Sequence, residues 1–464
     1  MAETTFDLVV IGGGPAGYLA AARAAKLGGK VALIEKDGLG GTCLNRGCIP
    51  TKTLIHGVSV LSAVGEAAAW GVACGRPTLD MAMLRAKADA VVAGLAQGVA
   101  KLLSASGVTV HQGLGQVPAP GTVTVSAPDG ERRLRARNIL LCLGARPAMP
   151  PIPGLDLPGV VTSDALLAAT DIPESLVVIG GGVIGMEFAC LYAGLGTKVT
   201  VIEAAERILP MVDEELQKRL IPLWKRRGVT VERGAAVSEI VRQGDGLAVR
   251  YDGRTGPGAA ACRKVLAAVG RRPLPVAGIV ALPGLEMQGP FVAVDAGMRT
   301  SIPGLYAAGD LVPGPMLAHV ASAEGLVAAE NALGGKAVMD YEAIPACIYA
   351  APEIAGVGLT EEAARERGLA VRIGRSAYGA NGRAQTLGEP MGLVKLVADA
   401  DDGRLLGAHL FGAQASELVA EAALAVKNRL TVRQLAQTVH SHPSLSETLA
   451  EAAQDLLGAQ SRAA

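Results

Sequence analysis

Cys43 and Cys48 are the residues best suited to chemistry in this sequence. They stand five apart in Gly40-Gly-Thr-Cys-Leu-Asn-Arg-Gly-Cys-Ile-Pro-Thr-Lys52. Two thiols this close can cycle between dithiol and disulfide and so carry two electrons. A regular helix separates residues five apart by roughly 140° and about 7.5 Å of rise, too far for an unstrained bridge. A bridge therefore requires an irregular first turn, which Gly41 and Gly47 permit. A strained, accessible bridge is also the easier one to reduce. A helix N-terminus and a nearby cation lower a thiolate pKa, and Lys52 is the local cation. The rival readings are a zinc half-site, which lacks a second Cys pair at matching spacing, and two inert thiols. Cys74, Cys142, Cys190, Cys262 and Cys347 occur singly and read as small hydrophobes.

Thiol chemistry needs a base near neutral pH, and a His held by a carboxylate is the usual answer. His440-Ser-His442-Pro-Ser-Leu-Ser-Glu447 has both. The segment is expected to open the last helix, with Pro443 in its first turn. A His before Pro taken alone reads as a loop or cap residue, and the cysteine pair elsewhere turns that reading towards chemistry. His56, His111 and His409 keep the structural reading.

Electrons on a dithiol need acceptors, and the sequence repeats one module suited to hold them. Leu8-Val-Val-Ile-Gly-Gly-Gly-Pro-Ala-Gly17 and Leu176-Val-Val-Ile-Gly-Gly-Gly-Val-Ile-Gly185 each follow an apolar strand and open a helix. An acid ends the next strand 23 residues after the first glycine in both copies (Gly12 to Glu35, Gly180 to Glu203). Gly12 and Gly180 make the tight turn. Gly14 and Gly182 let the backbone approach a pyrophosphate, and Gly17 and Gly185 let the helix lie close on the sheet. The helix start offers N–H groups and a positive dipole end to the phosphates. Glu35 and Glu203 are placed to accept hydrogen bonds from the hydroxyls of an adenosine ribose. At Glu203 that carboxylate repels a 2′-phosphate and favours NAD over NADP.

These sites need elements to carry them. The chain has 464 residues, half of them apolar, enough for several cores. The formal net charge is zero, which argues against a nucleic-acid partner. No apolar run is expected to reach the roughly 18–20 residues of a membrane span, Glu187 interrupting the best candidate. The N-terminus enters a strand at once, with no signal-type stretch, so a cytoplasmic protein is expected. The two βαβ modules predict two parallel sheets. Between them lie a helical stretch (81–104) and short strands (116–125, 132–143). The Pro-rich run 147–154 reads as a linker and Gly270-Arg-Arg-Pro273 as a second boundary. From about Asp340 the texture becomes β-rich (344–359, 393–397, 405–411), with helices near 415–426 and 443–457. The fold class is thus α/β: two Rossmann-like dinucleotide-binding domains plus an α+β C-terminal domain.

With those residues in place, the chain resembles the pyridine-nucleotide–disulfide oxidoreductases over nearly its whole length. The motifs are those above together with Gly-Met186-Glu187, Ala-Val-Gly270-Arg-Arg-Pro, Tyr306-Ala-Ala-Gly-Asp310, Met316-Leu317-Ala318-His319 and His442-Pro-Ser-Leu-Ser-Glu447. The resemblance implies FAD on the first module, contacted also by Gly41, Thr42, Lys52, Gly115, Gly144 and Asp310, with Met316 to His319 lining the flavin. It implies NAD on the second, with Glu187 and Gly270 added. Lys52 and Glu187 are expected to pair where hydride passes. The resemblance implies that Cys48 is the thiol facing the flavin, Cys43 the one that exchanges with dihydrolipoamide, and His442, oriented by Glu447, the base. In the family that base reaches the cysteines of the other subunit, which implies a homodimer. The expected domains are FAD-binding (1–150), NAD-binding (151–270), a central segment completing the FAD region (271–339) and an interface domain (340–464). The implied reaction reoxidises protein-bound dihydrolipoamide with NAD, within a 2-oxo-acid dehydrogenase or glycine-cleavage complex. No lipoyl-type extension precedes the first strand, so the lipoyl group is expected on another protein; no metal is expected. Alternatives are a related disulfide or mercuric reductase, and a redox-inactive flavin- and NAD-binding subunit. Leu141-Cys-Leu-Gly-Ala145 departs from the family's usual Ala-Thr-Gly-Ser, and Thr51 from its commoner Ser.

Overall fold

The structure, a computed structural model, describes residues 5–463. The chain forms two compact units. The first runs to Ala148, takes in Thr162–Asp171 and resumes over Gly270–Asp340; the second comprises Met149–Val161, Ile172–Val269 and the chain from Tyr341.

The first unit is built on a seven-stranded sheet. Thr5–Ile11, Val31–Glu35 and Thr109–Gln112 are parallel neighbours, and Gly130–Leu141 lies on the other side of Thr5–Ile11. Leu8, Val9 and Val10 are fully buried, as a parallel strand covered on both faces requires. The 12-residue strand Gly130–Leu141 serves two partners. Its end runs parallel to Thr5–Ile11 and to Leu305–Ala307. Its beginning starts an antiparallel meander with Thr122–Ala127 and Leu114–Ala119. The helix Pro15–Lys26 crosses Ala318–Ala332 at close range: a Cβ on Gly325 would lie 2.3 Å from the Ala16 carbonyl oxygen. Arg23 and Glu330 pair across the two helices at 2.6 Å. The helix Met81–Ala105 corrects the membrane expectation. It is long and apolar enough by composition to span a bilayer, the only such helix among the described residues. It carries Arg85, Lys87, Asp89 and Lys101, and Arg85 pairs with Asp89.

The second unit contains three sheets. Val229–Arg233, Lys198–Glu203, Ser175–Ile179, Lys264–Ala267 and Val160–Val161 form one parallel sheet in that order. An antiparallel sheet of Ala236–Gln243, Gly246–Gly253 and Gly256–Cys262 was not anticipated. Only Ile240, Leu247, Ala248, Val249 and Cys262 of its residues are buried, and small or glycine residues fill much of the rest, so no long apolar run announces it. The C-terminal sheet is antiparallel, ordered Ala346–Ile348, Ile354–Gly358, Leu405–Phe411, Leu393–Asp399, Val371–Ala377. Ala415–Lys427, Val432–Gln437 and Glu447–Ala463 pack on it through Val419, Ala422, Leu435, Leu449 and Leu456.

Lys395 sits on Leu393–Asp399, the strand next to the Val371–Ala377 edge of that sheet, and is 1% exposed. It pairs with Asp213 at 2.9 Å, Glu361 at 2.9 Å and Glu215 at 3.5 Å. Arg375 grips both Glu215 oxygens at 2.9–3.1 Å. Burial alone would raise the Glu215 carboxyl, but hydrogen bonds from Arg375 and Arg219 outweigh it and hold it at about 2, against an ordinary 4.5. A carboxyl lowered in the folded state stabilises the fold above its unfolded pKa, and that contribution disappears as pH falls through the folded value. Urea midpoints are therefore expected to drop between about pH 4.5 and pH 2. Glu215→Gln should be less stable at pH 7, with a flatter profile across that window; identical profiles would contradict the assignment.

Candidate functional site

The two glycine turns are built alike. Gly12 and Gly180 both have φ +107°, a conformation that favours glycine. A Cβ on Gly12 would fall 2.2 Å from the Cys142 carbonyl oxygen, and one on Gly180 would fall 2.4 Å from that of Ala268. Gly17 and Gly185 lie as close to their own turns: a Cβ there would meet the carbonyl oxygens of Gly12 at 1.8 Å and Gly180 at 2.0 Å. The acids close each turn. Glu35 accepts from the N–H of Gly13 at 2.6 Å and of Asp37 at 2.7 Å. Glu203 accepts from Gly181 at 2.6 Å and Ala205 at 2.7 Å. The carboxylates expected at a ribose therefore also organise the turn, keeping their remaining lone pairs for hydroxyl donors. Nothing lies within 4 Å of a Cβ position on Gly182, which leaves the start of the helix Val183–Gly194 open to a phosphate. Gly14 faces Gly41, whose Cβ would sit 2.6 Å from the Gly14 Cα, so two helix starts meet at the first turn without side chains between them.

The cysteines occupy two helices rather than one irregular helix. Gly41–Arg46 ends at Gly47, and Cys48 begins Cys48–Glu66. A Cβ on Gly47 would lie 2.9 Å from the Thr42 carbonyl oxygen and 3.3 Å from the Cys43 Cα. Thr51 secures the break by donating from its hydroxyl to the Gly47 carbonyl at 2.6 Å. Asn45, missed from sequence, ties the approach with one amide group directed at the carbonyls of Gly38, Leu39 and Gly41 at 3.3, 3.1 and 2.9 Å. The two thiols are thereby brought into hydrogen-bonding contact. That contact, then burial, pushes Cys43 well above the ordinary thiol range, while Lys52 pulls the other way. The expected lowering of a thiol pKa by Lys52 is thus not met at Cys43: Lys52 acts in the expected sense but is outweighed. Cys142 and Cys262 are buried, and Cys74, read as a small hydrophobe, is exposed.

The other residues of the first unit fall into two groups. Asp310 lies in the short turn Gly309–Leu311, its carboxyl pushed up by burial against the pull of Arg271, 4.0 Å away. The buried Glu324 holds that turn by accepting from Gly309 N–H at 2.7 Å. Leu317 caps the helix that begins at Ala318 and His319, directly after Met316. Gly144 (φ +74°) and Gly270 (φ +105°) are both open to added atoms, and Gly270 belongs to the first unit rather than to that of the second module. Gly115 is explained by packing, since a Cβ there would lie 2.9 Å from Ile11 Cγ2. Glycines where atoms would intrude, open helix starts and a half-buried carboxyl beside an Arg suit a bound dinucleotide.

In the second unit, His442 Nδ1 meets Glu447 Oε1 at 2.9 Å. Glu447 Oε2 accepts from Ser444 N–H at 2.8 Å. That N–H, then His442, holds the Glu447 carboxyl below its usual range. With Nδ1–H directed at a carboxylate, the basic lone pair sits on Nε2. The His442 side chain is 78% exposed, so Nε2 is accessible. Both nitrogens of His440, by contrast, are engaged, with Thr438 O at 2.9 Å and Glu421 Oε1 at 2.8 Å. Pro443 is not in a helix; the last helix begins at Glu447, because that residue turns back to hold the loop. The buried Asn381, also missed, anchors it by donating to Ser444 O at 3.0 Å. Glu187 is 4% exposed and accepts from Tyr349 N–H at 3.0 Å. Lys52 belongs to the first unit and Glu187 to the second.

A doubled dinucleotide turn with a dithiol set at a helix break is the architecture of one family, and the chain belongs to it. The pyridine nucleotide-disulphide oxidoreductase family matches residues 6–325, and that family's dimerisation domain matches 344–453. Among its relatives, the chain is 42% identical to the dihydrolipoyl dehydrogenase of Thermus scotoductus, covering 97% of each. It is 39% identical to that of Bacillus subtilis over 97% of this chain and 98% of the relative. Among solved structures, LpdA from Mycobacterium tuberculosis superposes with a TM-score of 0.89 at 30% identity, covering 97% of this chain and 99% of that one. The HOCl-induced flavoprotein disulfide reductase RclA from Escherichia coli superposes with a TM-score of 0.85 at 27% identity, over 96% and 99%.

The break at Gly47 is the local feature on which the cysteine geometry turns. Gly47→Ala is expected to keep the fold but drive the two helices apart, cutting thiol-exchange activity on the order of 10²-fold. In a glutathione redox buffer the variant should retain titratable thiols where the wild-type pair is oxidised. Equal thiol titres would exclude this role.

Proposed function

We propose that this chain oxidises protein-bound dihydrolipoamide to lipoamide through a Cys43–Cys48 disulfide and FAD, reducing NAD to NADH. The observation that carries the reading is the contact between the Cys43 and Cys48 thiols across the Gly47 break, in a chain that has full-length relatives named dihydrolipoyl dehydrogenase. FAD would be held at the first turn by the helix starts at Gly14 and Gly41, by Glu35 and by Asp310. NAD would be held at the second by Gly180, Gly182, Gly185 and Glu203. When bound, the flavin supplies the two-electron relay between the dithiol and the nicotinamide.

The protein groups divide the thiol chemistry. His442 Nε2 takes a proton from one thiol of dihydrolipoamide. The resulting thiolate attacks Cys43 Sγ, the Cys43–Cys48 bond breaks and Cys48 leaves as thiolate. The second substrate thiol then closes on the first sulfur and releases Cys43, which takes up a proton. The substrate has lost two electrons and the pair has gained them. A Cys43 thiol held protonated by Cys48 suits this ending, because the departing sulfur does not attack its product. Glu447 keeps Nε2 as the basic nitrogen and stabilises the imidazolium that forms.

We read the chain as a homodimer in which His442 serves the cysteines of the other subunit. The partner is a lipoyl-bearing protein of a 2-oxo-acid dehydrogenase or glycine-cleavage complex, and the setting is the cytoplasm. Glu203 followed by Ala204 and Ala205, with no adjacent Arg, favours NAD over NADP.

The decisive assay mixes the yellow protein with dihydrolipoamide and NAD and follows NADH, with NADPH and glutathione disulfide as control. FAD-loaded protein that forms no NADH would sink the proposal. Cys43→Ser should keep its flavin absorbance and lose lipoamide turnover. Glu447→Gln should retain both cofactors and lose about 10²-fold in turnover, and a loss confined to KM would argue against its role beside the base.

A further inference from the structure

Lys395 and Asp213 are buried charges to which the reaction above assigns no task, 1% and 0% exposed. Taking such a pair out of water is costly, and well-packed apolar residues of similar size often serve stability as well or better. Their connections suggest another use. Lys395 stands in the strand Leu393–Asp399 of the C-terminal sheet, and its Nζ reaches both Asp213 oxygens, at 3.0 and 2.9 Å. Asp213 is also the N-cap of the helix Glu214–Arg226, accepting from Glu215 N–H at 3.0 Å. Asp213 ends the loop that begins just after Glu203, the acid of the second dinucleotide turn.

That loop is tied at each step. Gln217, in the first turns of the capped helix, donates to the carbonyls of Leu209 at 3.1 Å and Val212 at 2.8 Å. Leu209 is held at φ +46°, in the left-handed region. Its N–H donates to the Gly181 carbonyl at 2.9 Å, while Gly181's own N–H binds Glu203. Ile208 is fully buried and lies where a Cβ on Gly181 would fall, 2.4 Å from its Cγ2. Both sides of the central glycine in the turn are thus held, one by Glu203 and the other by the loop that Asp213 anchors.

We propose that Lys395, acting through Asp213, is a positioning residue for the second dinucleotide site, by which the C-terminal sheet holds the glycine turn and Glu203 in register for the adenosine end of the nucleotide. The inference rests on the reading of that turn as the NAD site. Such a link predicts an effect on nucleotide affinity that spares the thiol half-reaction.

The test uses the full-length, FAD-loaded protein. Lys395→Met alone leaves Asp213 buried without its cation and risks misfolding. Lys395→Met combined with Asp213→Asn removes both charges and keeps a good helix cap. In the double variant the dissociation constant for NAD, measured by titration calorimetry without dihydrolipoamide, should rise about tenfold. KM for dihydrolipoamide and the flavin spectrum should stay unchanged. An unchanged NAD dissociation constant in the folded double variant would overturn the proposal, and so would a loss equal for both substrates. Wild-type protein that binds NAD but does not turn over dihydrolipoamide would overturn the proposed reaction and leave this inference standing.

Discussion

The first glycine of each dinucleotide turn has no room for a side chain, and much of the molecule is arranged around that exclusion. A single Cβ at Gly12 or Gly180 would sit within 2.4 Å of a carbonyl oxygen just past the end of the neighbouring strand. Without it, strand, turn and helix approach closely enough for a carboxylate 23 residues later to bind the turn's own N–H. The helix start then faces outward with its donors unspent. That the two copies reach φ +107° at the first glycine and 2.6 Å at the carboxylate shows how narrowly the packing constrains them.

The same device recurs at the redox pair. Gly41 lets a second helix start approach Gly14, and Gly47 lets one helix stop and another begin within a single residue. Cys43 and Cys48 therefore meet because the backbone between them is broken, and Asn45 and Thr51 hold the break with side-chain hydrogen bonds to main-chain carbonyls. The thiol contact then dominates the electrostatics. Lys52 favours a Cys43 thiolate, but a neighbouring sulfur that binds the same proton, together with burial, outweighs it.

In the second unit, polar side chains bound to the main chain locate the base. Glu447 uses one oxygen for His442 and the other for the main chain of the loop, so the carboxylate that orients the imidazole also shapes the segment carrying it. His440, two residues away, has both nitrogens occupied. What distinguishes the two histidines is which nitrogen remains accessible, a property of the surroundings rather than of residue type.

The paired glycine turns, their acids, the Cys-x4-Cys segment and the His–Glu segment were all legible in the sequence, because each depends on residues near one another along the chain. Local spacing decides whether a turn closes or a cap forms. The antiparallel sheet over 236–262 was not legible, since its strands are mostly exposed or half-exposed and rich in Gly and Ala, which leaves little period to read. Nor was the joining of Leu305–Ala307 to the first sheet, a pairing made between distant segments. The sequence by itself determined which groups can carry electrons and protons. Tertiary structure alone decided that Cys43 keeps its proton, that His442 rather than His440 offers a lone pair, and that Lys395 reaches Asp213, because each outcome depends on burial and on contacts that chain spacing does not encode.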